Sequence, residues 1–84
     1  MNKILVEINC PSTGKTYDFW LAKKMIVDDV IENLTNTIKH CENNMSLFPN
    51  TRDLILFKAP KYILDRKMAL SALGIKSGDT LVLI

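Results

Sequence analysis

Gly14, Lys15 and Thr16 stand in the order that closes a phosphate-binding loop, G-x-x-x-x-G-K-[ST], in which backbone N–H groups and a lysine cradle phosphate oxygens. That motif needs a glycine where this chain has Asn9, and a helix where the residues after Thr16 alternate as a strand. A hairpin turn accounts for the triplet. His40 beside Cys41 sets a base next to a nucleophile, yet helical neighbours point about 100° apart and do not hydrogen-bond as a pair. No third residue completes a triad. One histidine and two distant cysteines, Cys10 and Cys41, do not make a four-coordinate metal site. Asp28, Asp29 and Glu32 have the chemistry of paired carboxylates, but the first turns of a helix favour acidic residues through the macrodipole. We therefore expect no enzyme activity, no cofactor and no bound metal.

The composition bounds the remaining classes. The 84 residues are 48% hydrophobic and 24% charged, which suits one small globular domain spanning residues 1–84 and is too apolar for a disordered chain. The net charge is +2, and the basic residues are scattered along the sequence from Lys3 to Lys76. No nucleic-acid footprint stands out. The longest apolar run, residues 81–84, is far short of the ~20 residues of a membrane span. Glu7 and Asn9 interrupt the opening MNKILVEINC, so no signal segment is expected there. These observations point to a cytoplasmic protein without direct membrane insertion. In that compartment Cys10 and Cys41 are expected to be free, buried thiols. If the first hairpin turn and the helix end converge, a bridge between them would be within geometric reach, and we expect it unformed.

The elements follow from the periods. Ile4, Val6 and Ile8 alternate with Leu5, Glu7 and Asn9, the pattern of a strand with one buried face. After the turn cluster at residues 11–14 the alternation resumes over residues 16–21, with Tyr17, Phe19 and Leu21 on one face, so the two strands should form an antiparallel hairpin. Val27, Ile31, Leu34, Ile38 and Cys41 then fall on one helical stripe. Residues 42–50 read as loop, residues 53–57 as a strand with Leu54 and Leu56 inward, and residues 62–64 as an edge strand after Pro60. Residues 71–75 read as a helical turn stopped at Gly74, leading into a last strand. The order ββαββ, helical turn, β is a β-grasp arrangement of α+β class. A right-handed crossover leaves the middle of the mixed sheet, parallel to the first strand, for the last one.

The string MALSALGIKSGDTLVLI resembles the ubiquitin superfamily: Leu70, Leu73 and Ile75 as core plugs, a Gly-Asp turn, and a closing apolar strand. More narrowly, residues 16–21, the helix start at Ile26 and Val27 with Val30 and Ile31 behind it, and Gly74-Ile75 followed by Gly78-Asp79 are similar to the small YukD/EsaB-type proteins. Those belong to type VII (WXG100) secretion systems of Gram-positive bacteria. The resemblance implies a ubiquitin-like fold, an accessory or regulatory role, a partner among secretion-machine components, and no catalytic residues. It departs from ubiquitin-type modifiers and sulfur carriers at the end, since Gly78 sits in a turn and no Gly-Gly tail follows. A non-conjugating protein is expected. The alternatives are a modifier or sulfur carrier missing its tail, and a ubiquitin-like domain belonging to a larger secretion protein.

With chemistry set aside, surface remains. Alternation puts Ile55 and Phe57 opposite Leu54 and Leu56, and Val82 and Ile84 opposite Leu81 and Leu83. In a one-helix β-grasp the face away from the helix meets water, so these residues would form a contiguous apolar patch for a protein partner. Trp20 points outward from the second strand and is an interface anchor by type. Residues 45–48 folding over the patch would be the competing arrangement. An isologous homodimer through the patch is as compatible as a foreign partner.

Overall fold

The structure is a computed structural model and describes residues 2–84. The strand β1 (Lys3–Cys10) pairs antiparallel with β2 (Lys15–Ala22), from Lys3 opposite Ala22 to Cys10 opposite Lys15. The turn between them is tight because Gly14 takes a φ of 69° and donates its N–H to the Cys10 carbonyl at 3.0 Å. The main helix, α1, covers Val27–Cys41. After it come a 3-10 turn at Thr51–Asp53, β3 (Leu56–Lys58), β4 (Tyr62–Ile63), a second 3-10 turn at Ser71–Leu73 and β5 (Thr80–Leu83). The sheet order is β2-β1-β5-β3-β4, with β5 parallel to β1 and antiparallel to β3. The expected β-grasp topology and the central placement of the last strand are both present.

The core lies between α1 and one face of the sheet. Val27, Val30, Ile31, Leu34 and Ile38 of the helix are buried together with Ile4, Val6, Ile8, Leu21, Leu56, Leu81 and Leu83 of the strands. Leu70 and Ile75 flank the second 3-10 turn and plug one end, and Gly74 ends that turn in the left-handed region at φ 73°. Thr35 is buried among apolar residues, and its hydroxyl donates to the Glu32 carbonyl within the helix at 3.0 Å.

The start of α1 has no side-chain cap, because Ile26 occupies that position. Backbone carbonyls replace it: Val27 N–H donates to Met68 at 2.9 Å and Asp28 N–H to Arg66 at 3.0 Å. Arg66 then extends the connection. Its Nε donates to Asp28 Oδ1 at 2.6 Å, Nη1 to the Leu54 carbonyl at 2.7 Å and Nη2 to the Thr51 carbonyl at 3.3 Å. One guanidinium thereby ties the helix start to the approach to β3.

That tie explains where the third strand departs from expectation. The strand expected over residues 53–57 is instead Leu56–Lys58, and Asp53 closes a 3-10 turn begun at Thr51, where Asn50 Oδ1 accepts the Arg52 N–H at 3.1 Å and Arg66 holds two of the local carbonyls. Leu54 is half-buried against the core and Leu56 fully buried. The loop at residues 42–50 also differs from the competing arrangement: Phe48 is buried in the core rather than laid over the outer sheet face. Cys10 is buried, but Cys41 is exposed, and both are free thiols. Cys41 is the last residue of α1, where polar contacts of Glu42 with the hairpin take the place of apolar cover. Hairpin and helix end do converge there, through Lys15 Nζ donating to Glu42 Oε1 at 2.7 Å and Tyr17 Oη donating to Glu42 Oε2 at 2.8 Å.

Two outcomes follow for stability. Arg66 has 32% of its side chain exposed and serves three acceptors, while Lys67 is 85% exposed on the same Asp28. Arg66→Met should lower the urea midpoint clearly and Lys67→Met hardly at all, because exposed pairs contribute little. Hydrogen bonds from Arg66 and Lys67 hold the Asp28 carboxyl below its ordinary value of 3.8, and those from Lys15 and Tyr17 hold Glu42 below 4.5. A depressed folded value stabilises above the unfolded one and is lost as pH falls through the folded one. The melting temperature should therefore fall below about pH 4.5, and Asp28→Asn and Glu42→Gln should each flatten that acid limb in thermal melts.

Candidate protein-docking surface

The sheet face opposite α1 carries the alternate residues of each strand. In β5, Leu81 and Leu83 enter the core, so Val82 and Ile84 face outward. In β3, Leu56 enters and Phe57 faces out, directly opposite Val82 on one side and Ile63 of β4 on the other. Ile55 precedes β3 and remains in the ladder, exchanging both backbone hydrogen bonds with Ile84 at 2.7 and 2.9 Å. The turn from β3 to β4 brings Pro60 and Lys61 to the rim. Ile55, Phe57, Pro60, Lys61, Ile63 and Ile84 line an open groove of about 240 Å³.

Three of the residues singled out from the sequence, Ile55, Phe57 and Ile84, meet in this groove. Val82 lies beside it as the cross-strand neighbour of Phe57. Trp20 is not brought to it. It lies opposite Leu5 on β2, across the sheet, with Glu7 and Asn9 of β1 and Thr80 of β5 on the intervening surface. Ile63, Pro60 and Lys61 were not anticipated as groove residues. The signal for Ile63 was available, since Leu64 is buried and period 2 puts its neighbour on the opposite face.

The groove is apolar, with Lys61 as its one charged lining side chain. It offers no acid and base within reach of each other. Among the described residues no three His, Cys, Asp or Glu side chains stand where they would hold a metal ion. What it can do is take an apolar side chain out of water: Ile63 is 65% and Ile84 53% exposed, and burying a residue of leucine size contributes about 1.5–3 kcal/mol.

No family model matches the chain, and no curated protein matches it. Solved structures do, over nearly the whole length. The N-terminal ubiquitin-like domain in the 4931431F19Rik protein is 25% identical with a TM-score of 0.74, covering 99% of this chain and 74% of that one. This chain has a ubiquitin-like β-grasp fold. The UBL domain of Plasmodium falciparum Dsk2 superposes with a TM-score of 0.73 at 17% identity, covering 96% of this chain and 95% of that one. The EccD5 ubiquitin-like domain from Mycobacterium xenopi reaches 0.78 at 15% identity, covering 100% and 94%. At those identities the likeness is one of ubiquitin-like fold.

Proposed function

We propose that this ubiquitin-like chain is a non-catalytic protein-interaction module that takes an apolar side chain of a protein partner into the groove between β3, β4 and the end of β5. The carrying observation is the groove itself: five apolar side chains from three segments converge on a sheet face that no helix covers. The more specific reading is a cytoplasmic accessory component of a type VII secretion system, with a secretion-machine protein as partner. Its support is the resemblance of residues 16–21, 26–31 and 74–79 to YukD/EsaB-type proteins, and the fold likeness to the EccD5 ubiquitin-like domain is compatible with it.

Phe57→Asp and Ile63→Asp place a carboxylate in the groove without touching the core side of the sheet. With circular dichroism confirming the fold, affinity capture from a Gram-positive extract followed by mass spectrometry should show a secretion-machine component held by the wild-type chain. Both variants should lose it by about tenfold or more, the scale of a central interface residue. Capture that is indifferent to both substitutions would remove the groove from the function. Sedimentation of the isolated chain reads the competing occupant, a second copy.

A further inference from the structure

Lysines that are scattered in the sequence are gathered by the fold at the opposite corner of the sheet from the groove. The start of β1 and the end of β2 are neighbours, Lys3 pairing with Ala22 and the Lys23 N–H donating to the Asn2 carbonyl at 2.9 Å. The Ser71 N–H donates to the Lys23 carbonyl at 2.8 Å, which brings in the second 3-10 turn. The turn before β5 arrives from the other side: Gly78 N–H donates to the Leu5 carbonyl at 2.9 Å, and Ser77 Oγ accepts the Leu5 N–H at 3.0 Å. Residues 2–6, 19–27 and 67–78 therefore meet at one end of the molecule, and these segments contain no aspartate or glutamate.

They contain Lys3, Lys23, Lys24, Lys67 and Lys76. Lys67 is engaged with Asp28, whereas Lys3, Lys23, Lys24 and Lys76 enter none of the ion pairs among the described residues. Of the carboxylates that border these segments, Asp28 is held by Arg66 and Lys67 and Asp79 by Lys58 and the Lys76 N–H, while Glu7 and Asp18 enter no ion pair among the described residues. Glu7 and Asp18 face each other two positions along from Leu5 and Trp20 on the outer sheet face and mark the border of the basic corner. Outside these four lysines the chain has seven basic against nine acidic residues, a formal charge of −2 against the +4 that the four lysines carry. Trp20, the one tryptophan of the chain, stands there 56% exposed beside half-buried Leu5, and Ile26 is exposed just beyond Lys24.

We infer that this corner is a docking surface for an anionic phospholipid bilayer, with Lys3, Lys23, Lys24 and Lys76 meeting the headgroups and Trp20 seated at the interface. An indole with an apolar body and a polar N–H suits the headgroup layer, and lysines with long apolar stems ring it without burying their charge. Four unpaired cations are too few for tight duplex binding, which draws on about 6–10 phosphate contacts. The groove that would hold a protein side chain lies across the sheet.

The test uses the 84-residue chain, flotation with vesicles, and the emission of Trp20. Vesicles of phosphatidylcholine mixed with phosphatidylglycerol should carry the chain, phosphatidylcholine alone should not, and added salt should release it. Trp20 emission should shift to the blue on binding. Each of Lys3→Gln, Lys24→Gln and Lys76→Gln should weaken association roughly fivefold, and Trp20→Ala should weaken it further while circular dichroism stays unchanged. Phe57→Asp should bind the vesicles as the wild type does, which separates this surface from the groove. No association with the anionic vesicles at low salt would overturn the inference. So would association that survives the lysine replacements, an unshifted Trp20 emission, or tighter binding to duplex DNA than to the vesicles.

Discussion

The pairing of β5 with both β1 and β3 is the constraint on which the other features depend. The chain makes two separate antiparallel units, β1 with β2 and β3 with β4, and neither touches the other in the ladder. Thr80–Leu83 is the strand that joins them, donating and accepting on both edges while Leu81 and Leu83 fill the core beneath α1. The pairing of Glu7–Asn9 with Thr80–Val82 spans more than 70 residues of sequence, so closing it costs more loop entropy than either hairpin. The same strand turns Val82 and Ile84 to the outer face, so one element organises both the core and the apolar surface opposite it.

A second constraint sits at the start of α1. Asp28 and Asp29 suit the helix dipole, yet the capping position is Ile26, whose side chain has nothing to offer an N–H group. The structure solves this with carbonyls from Arg66 and Met68, and the Arg66 side chain then reaches residues 51 and 54. The helix start, the approach to β3 and the segment before the second 3-10 turn are in this way mutually dependent. Local signals are poor in all three stretches, and each is ordered by the other two.

That dependence also marks what the sequence could reveal. The alternation of Ile4, Val6 and Ile8, the stripe from Val27 to Ile38 and the Gly74 stop are local periods or local backbone requirements, and the corresponding elements stand where the periods put them. The beginning of β3 differs from the period because Arg66, distant in sequence, takes the carbonyls of Thr51 and Leu54 just before Ile55 joins the ladder. Cys41 obeys the helical period but is the last residue of the helix and stands exposed beyond Ile38, the last buried position of the stripe, so period alone does not give its burial. Of the candidate surface, Ile55, Phe57 and Ile84 were readable as outward positions, while the rim made by Pro60 and Lys61 depends on how the β3–β4 turn folds back. The lysine corner was invisible for a simpler reason: its members are far apart along the chain, and only the parallel pairing of β5 with β1 brings Lys76 toward Lys3.

The two borders of the sheet are unequal. On one side β4 is two residues long and follows Pro60, so it presents almost no backbone to a stranger. On the other, β2 runs for eight residues in unbroken register with β1, and no proline or bulge interrupts it. An open strand of that length is a template for further strands, and Asp18 lies midway along it, where a second copy paired antiparallel about that residue would set carboxylate against carboxylate. Protection of this kind is screened by ions in a way that a proline or a bulge is not. One side chain at the longest open border thus disfavours that register of self-pairing, and ionic strength sets by how much.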